Sequence, residues 1–192
     1  MKMLKKTKPG NMALSGAIFF FIIALILILF LGTSKRSMLT DARDSIATSM
    51  VASNLAVSCP DANALGSEGT TKLDNQSSYN IYRECLKKNM GLNDDMIPKE
   101  NTEFVSTIKG AVTVSKIITY SVVDNDVTVT TYTPVGMTEQ TMQNGVGIVT
   151  TPNGIKVSKS GVYSEITFSV KLIGNNESQK TMRQYTDVRV TN

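Results

Sequence analysis

The sequence predicts an α+β protein: a long N-terminal helix, part transmembrane and part amphipathic, then a short helix and a mostly antiparallel β-sheet head. Three observations carry this expectation. Ala17 to Leu31 (AIFFFIIALILILFL) contains no polar side-chain atom. Thr33 to Val57 holds neither Gly nor Pro and repeats apolar residues at helical spacing. Beyond Pro98 the pattern changes to β-branched alternation and stays so to the C-terminus.

Residues 1–10 (MKMLKKTKPG) form a basic leader. The apolar run extends from Met12 to Gly32, and 21 residues at 1.5 Å each span about 31 Å, the thickness of a bilayer's hydrocarbon core. Residues 11–32 therefore read as a membrane-spanning helix in contact with lipid. A small-x-small triplet, Gly32-Thr33-Ser34, leaves a cleaved secretory signal as the alternative. Against it, such signals carry apolar cores of about 7 to 15 residues, and here an amphipathic stretch follows at once. Lys2, Lys5, Lys6 and Lys8 outnumber Lys35 and Arg36 across the span, which predicts a single-pass topology with a cytoplasmic N-terminus and an extracytoplasmic head. Ala13, Gly16, Ala17 and Ala24 are small enough for close helix packing, although ordinary membrane helices contain such residues too.

Residues 33–58 read as an amphipathic stalk. Leu39, Ala42, Ile46, Met50, Ser53 and Val57 share one stripe, while Lys35, Arg36, Asp41, Arg43, Asp44 and Thr48 lie opposite. Cys59-Pro60 stops the helix. Residues 59–192 form the expected head. Residues 61–76 are small and polar without periodicity, a loop. A second helix is expected from Ser78 to about Met90, capped by Ser77 or Ser78 and closed by Gly91 in the left-handed conformation. Candidate strands within 103–190 are Glu103 to Lys109, Val112 to Val123, Val127 to Thr133, Gly147 to Thr151, Ile155 to Lys159, Val162 to Ile173 and Thr181 to Val190. Asp124-Asn125-Asp126, Pro152-Asn153-Gly154 and Gly174-Asn175-Asn176 mark three hairpin turns. Either the stalk or the second helix is placed to cover the apolar face of the sheet.

Charge and composition exclude several functions. The net charge of +4 suggests anionic partners, but residues 1–36 hold six bases and no acid, leaving 14 bases against 16 acids. The basicity belongs to the membrane flank, and nucleic acid is not an expected partner. With no His, with two cysteines lacking an activating base, and with no nucleophile elbow or phosphate loop, the chain reads as a non-enzyme without cofactor or metal. Asp94-Asp95 and the pair Asp124 and Asp126 fit turns better than a calcium loop. Cys59 and Cys85 both fall on the outward side, as a disulfide or as two buried thiols. A bond would close about 27 residues and stabilise the head by roughly 3 kcal/mol.

A basic leader ending in Gly10, a hydrophobic helix of about 20 residues, an uninterrupted amphipathic extension and a β-rich head with a cysteine pair together resemble the type IV pilin superfamily, particularly minor pilins and pseudopilins of the tight-adherence kind. The resemblance implies cleavage between Gly10 and Asn11 by a membrane-embedded leader peptidase. It further implies an assembly platform and packing of mature helices into the core of a filament that carries the heads outside. Other pilin-like subunits would then be the partners, with Ala13, Gly16, Ala17 and Ala24 in the apolar part and Leu39, Ile46 and Met50, with Val51 and Leu55, in the stalk supplying contacts. Many members carry Glu at the fifth mature position; here it is Ser15, and no acid precedes Asp41. The other expectation is a bitopic tether whose β head binds a ligand, a surface or a secretion-machine partner.

Overall fold

The computed structural model describes residues 9–58, 78–171 and 176–187, without the side chains of residues 9–13 and 15. The expected α+β architecture is present: a long N-terminal helix, a short second helix and a five-stranded antiparallel sheet. The first helix, α1, runs from Pro9 to Ser58. Proline is tolerated there because the first turn of a helix needs none of its own N–H groups. The chain divides into two compact units, Met1–Asp41 and Ala42–Asn192, so the last part of α1 belongs with the sheet.

Within the second unit, α1 buries Ala42, Ile46, Ser49, Met50, Ser53, Asn54 and Val57, spaced three or four residues apart along one stripe. Three of these are polar, and each donates a hydrogen bond. Ser49 and Ser53 donate to the carbonyls one turn back, Ser45 at 2.9 Å and Ser49 at 2.7 Å. The Asn54 amide donates to the Gln184 carbonyl (3.4 Å) and to Thr186 Oγ1 (3.2 Å), which ties this helix to the last strand.

Helix α2 spans Ser78–Asn89 and ends as anticipated. The Leu92 N–H bonds the Lys87 carbonyl at 2.8 Å, the Gly91 N–H bonds that of Lys88 at 3.2 Å, and Gly91 has φ of +58°. This is a Schellman termination, with Leu92 and Leu86 both buried beside it. A β-carbon on Gly91 would lie 2.5 Å from Thr102 Cγ2, so glycine is required for space as well as for angle.

The sheet comprises β1 (Ile108–Val123), β2 (Asp126–Thr133), β3 (Gly136–Met142), β4 (Gly161–Lys171) and β5 (Glu177–Asp187). Its order is β3-β2-β1-β4-β5, with every neighbouring pair antiparallel. One face buries Ile117, Thr119, Thr130, Tyr132, Val162, Ser164 and Ile166. Tyr82 of α2 lies against Ser164 there, and the Tyr79 hydroxyl of the same helix donates to the Val114 carbonyl at 3.4 Å. Both helices of the second unit therefore serve this face, α1 through Asn54 and α2 through its tyrosines. The opposite face packs Ile118, Tyr120, Val127 and Tyr163 with Val157, Val146 and Val149 from the connection between β3 and β4. Tyr120 and Tyr185 meet there edge to face, centroids 6.0 Å apart.

The strands differ from expectation in three places. Glu103–Ser106 is a turn of 3-10 helix, and pairing starts at Ile108; from there one strand runs to Val123, its register with β4 shifting between Lys109 and Thr113 and between Val114 and Lys116. Residues 147–151 and 155–159 form no ladder; the Pro152-Asn153-Gly154 turn is closed by a single bridge, Thr150 to Lys156. Their apolar alternation comes from packing down onto the sheet rather than from pairing within it. β3, by contrast, was not expected. The hairpins around Asp124-Asn125 and between β4 and β5 are present, Asp124 taking φ of +54°. The loop at 61–76, Gly174-Asn175 and the last residues of the final strand lie outside the described residues.

Candidate assembly surface

From Leu14 to Leu31 the large apolar side chains of α1 face outward on every side. All are exposed, from 38 % at Ile23 to 72 % at Phe20. A helix apolar all round is stable only inside lipid or among other apolar surfaces. Among the described residues, this is the one helix long and apolar enough to cross a membrane. Gly16 and Gly32 are open, with no atom within 4 Å of where a β-carbon would stand. Ala17 and Ala24 are exposed, and with Gly16 they fall within an arc of about 100° of the helix circumference. Ala13 lies on the same arc by position, as part of α1. At the end of the stretch Thr33 donates to the carbonyls of Leu29 and Phe30, at 3.1 and 2.9 Å, so its hydroxyl is satisfied within the helix.

The remaining sequence-derived residues separate into those still available to a second chain and those already consumed by the fold. Ile46 and Met50, expected to contact other subunits, are 1 % and 0 % exposed in the core of the second unit. The stripe that nominated them is real, but it packs within the chain. Leu39 and Val51 are half-buried, and Leu55 is exposed. Gly10 and Asn11 lie in the first turns of α1. Cys59 is outside the described residues. Cys85 is a free, half-buried thiol whose Sγ lies 3.9 Å from the Ala52 carbonyl and accepts a 3.4 Å bond from Asn89 Nδ2.

Among the described residues the ionisable groups do not converge on a reaction centre. Burial raises the phenols of Tyr82 and Tyr120 well above their usual range, and pushes Tyr163 up to about 12 with help from the Glu165 carboxylate. These are buried core tyrosines, Tyr82 against one face of the sheet and Tyr120 and Tyr163 on the other. Lys87 bridges Glu84 (2.8 Å) and Asp94 (3.0 Å) at the surface, which raises the lysine and lowers the aspartate. No group of three or more His, Cys, Asp or Glu that could hold a metal occurs among the described residues. Shallow grooves are present among the described residues. One of about 350 Å³ lies between Gln140–Met142 and Ile148–Thr150; another, about 580 Å³, lies between Tyr79 and the β2–β3 turn at Thr133–Met137. Neither is lined by an acidic or basic side chain.

Two signals were missed in the sequence. Asn54 sits on the apolar stripe as a polar residue, which is a mark of a cross-fold hydrogen bond rather than of a stripe edge. Pro134-Val135 between Thr133 and Gly136 is a turn signal that would have disclosed β3. No family model, curated protein or solved structure matches this chain.

Proposed function

We propose that this chain is a pilin-like or pseudopilin-like structural subunit, held in the membrane by α1 and assembled through that helix into a filament or an envelope-spanning apparatus. The supporting observation is the exposed apolar helix from Leu14 to Leu31, on a chain whose described residues hold no group of three or more His, Cys, Asp or Glu that could bind a metal. Transfer from lipid to a filament core exchanges one apolar environment for another, so it costs little hydrophobic free energy. Gly16, Ala17 and Ala24 would let neighbouring helices approach closely, whereas Ile46 and Met50 drop out of the contact surface. A leader peptidase acting after Gly10 and an assembly platform are the partners this reading requires. The N-terminus is cytoplasmic and the β head extracytoplasmic, following the lysine bias of the leader.

Intact-mass measurement of the protein from its native membrane tests the reading. Loss of residues 1–10 is expected, and Gly10→Leu should abolish both processing and assembly. An intact leader on assembled protein would overturn cleavage at Gly10. A second reading, a tethered binding module, draws on the groove beside Tyr79 and Val135, the latter 96 % exposed. It predicts an uncut leader and unchanged behaviour of Gly10→Leu.

A further inference from the structure

Immediately beyond the apolar stretch, still within the first unit, α1 carries three charges: Lys35, Arg36 and Asp41. Arg36 and Asp41 are exposed and Lys35 is half-exposed. None of the three enters an ion pair among the described residues, and Asp41 accepts a long 3.5 Å bond from Ser37 Oγ. Their spacing explains this. Ion pairs along a helix need partners three or four residues apart, and Asp41 follows the two bases by six and five. At about 100° per residue Asp41 lies roughly 170° around the helix from the midpoint of the bases and about 8 Å further along its axis. Residues 35–41 of α1 thus have a basic side and an acidic side.

Resting on the proposed assembly role, we infer that a second copy of this chain docks alongside α1 with an axial offset of about 8 Å, so that Asp41 of one copy meets Lys35 and Arg36 of the next. In register, the basic side of one copy would face the acidic side of the next with the charges about 8 Å apart in height; the offset brings them level, where they attract. Because the two patches lie on opposite sides, the contact is heterologous, and each added copy presents a fresh patch to another. The offset also distinguishes an advancing assembly from a flat array in the bilayer. Copies held at one depth by the same apolar span can slide by 8 Å only by drawing five or six apolar residues out of lipid. Copies that climb along a common axis meet no such penalty. No acid precedes Asp41 in the chain, so this is the first place where the helix can specify register electrostatically.

Charge reversal in the full-length chain, scored as protein recovered in the assembled fraction, tests the offset. The double variant Lys35→Glu/Arg36→Glu and the single variant Asp41→Lys should each lower assembly by roughly tenfold, and combining all three should restore most of it, because the patches then attract with signs exchanged. Restoration also shows that the single defects are not failures to fold. A photo-crosslinker at position 36 should capture peptides around position 41 of a neighbouring copy. Unaltered assembly in both reversals, or a triple variant no better than either, overturns the offset. So does a defect of Lys35→Glu/Arg36→Glu that tracks lost binding to phosphatidylglycerol-containing vesicles relative to phosphatidylcholine alone, since lipid headgroups would then be what the bases meet. If the wild-type chain yields no assembled fraction, the parent reading falls.

Discussion

Ile22 and Ile46 are the same residue in the same helix, and their surroundings are opposite: the first is 50 % exposed, the second 1 %. Between Leu14 and Leu31 apolar residues occupy every side of the helix, and the large ones are all exposed. In the second unit they occupy one stripe and meet a sheet. Hydrophobicity alone therefore says nothing about where the core of this protein is. What separates the two regions is angular distribution, because a stripe can be covered by one neighbouring layer whereas a full circumference needs an environment supplied from outside.

Aspartate substitution at these two positions should split the comparison most widely. Ile46→Asp buries a carboxylate without a counter-charge and should cost at least about 4 kcal/mol, removing cooperative thermal unfolding of the detergent-solubilised chain. Ile22→Asp should leave that unfolding transition in place and instead weaken membrane retention by roughly 2.5–3.5 kcal/mol, read by carbonate extraction. If Ile22→Asp also melts the sheet, the two units are not independent. Truncation gives the next largest contrast. Met50→Ala should destabilise by about 2–5 kcal/mol through a cavity, while Leu25→Ala should shift the unfolding temperature by nothing measurable.

Two glycines sharpen the picture of the second unit at smaller magnitude. A β-carbon at Gly161 would lie 2.7 Å from the Tyr185 hydroxyl and 2.8 Å from the Thr186 carbonyl, so Gly161→Ala should cost about 1–3 kcal/mol in denaturant melts. Gly91→Ala should cost about 1–2 kcal/mol because its φ is positive. The smallest effect concerns pH. Burial alone would raise the Glu165 carboxyl, but bonds from Arg183 at 2.8 Å and from the Tyr163 hydroxyl at 3.1 Å outweigh it and hold the group below its usual range. A depressed carboxylate contributes stability above the unfolded value near pH 4.3, and that contribution is lost as pH falls through the folded value. The Arg183 side of this pair is open to water, so Glu165→Gln should change stability at neutral pH by under about 1 kcal/mol and flatten the acid limb of the melt.

The sequence made the helices legible because their signals are local. Gly91 after Lys87 and Lys88 announced the end of α2, and the stripe through Ala42, Ile46, Met50, Ser53 and Val57 announced a buried face. What the stripe could not disclose was the identity of its cover, since any apolar surface, in this chain or another, satisfies the same spacing. That is why Ile46 and Met50 read as contacts for a neighbour. The edge strand β3 was illegible from its own residues, apart from the Pro134-Val135 turn before it, for a different reason. All seven of its residues are exposed, so GMTEQTM carries no alternation to detect. The stretch from Gly147 to Lys159 failed in the reverse sense, alternating like a strand because Val149 and Val157 lean onto the sheet. Of the candidate surface, the apolar run was fully legible, and the side-to-side placement of its flanking charges followed once the helix was continuous through them.

The bond from Asn54 to Thr186 joins residues 132 positions apart, and it imposes an order of events during synthesis. When residues 42–57 leave the ribosome, the strand they will rest against has not been translated. The apolar span just before them is complete and can enter the membrane at once. Under the proposed function anchoring therefore precedes closure of the head, and Asn54 waits for its partners until β5 arrives. Long-range closure of this kind is slow and leaves the intermediate prone to association. Under the proposed function the nascent chain is tethered to the bilayer and searches with one end fixed, its waiting stripe held apart from those of freely diffusing neighbours.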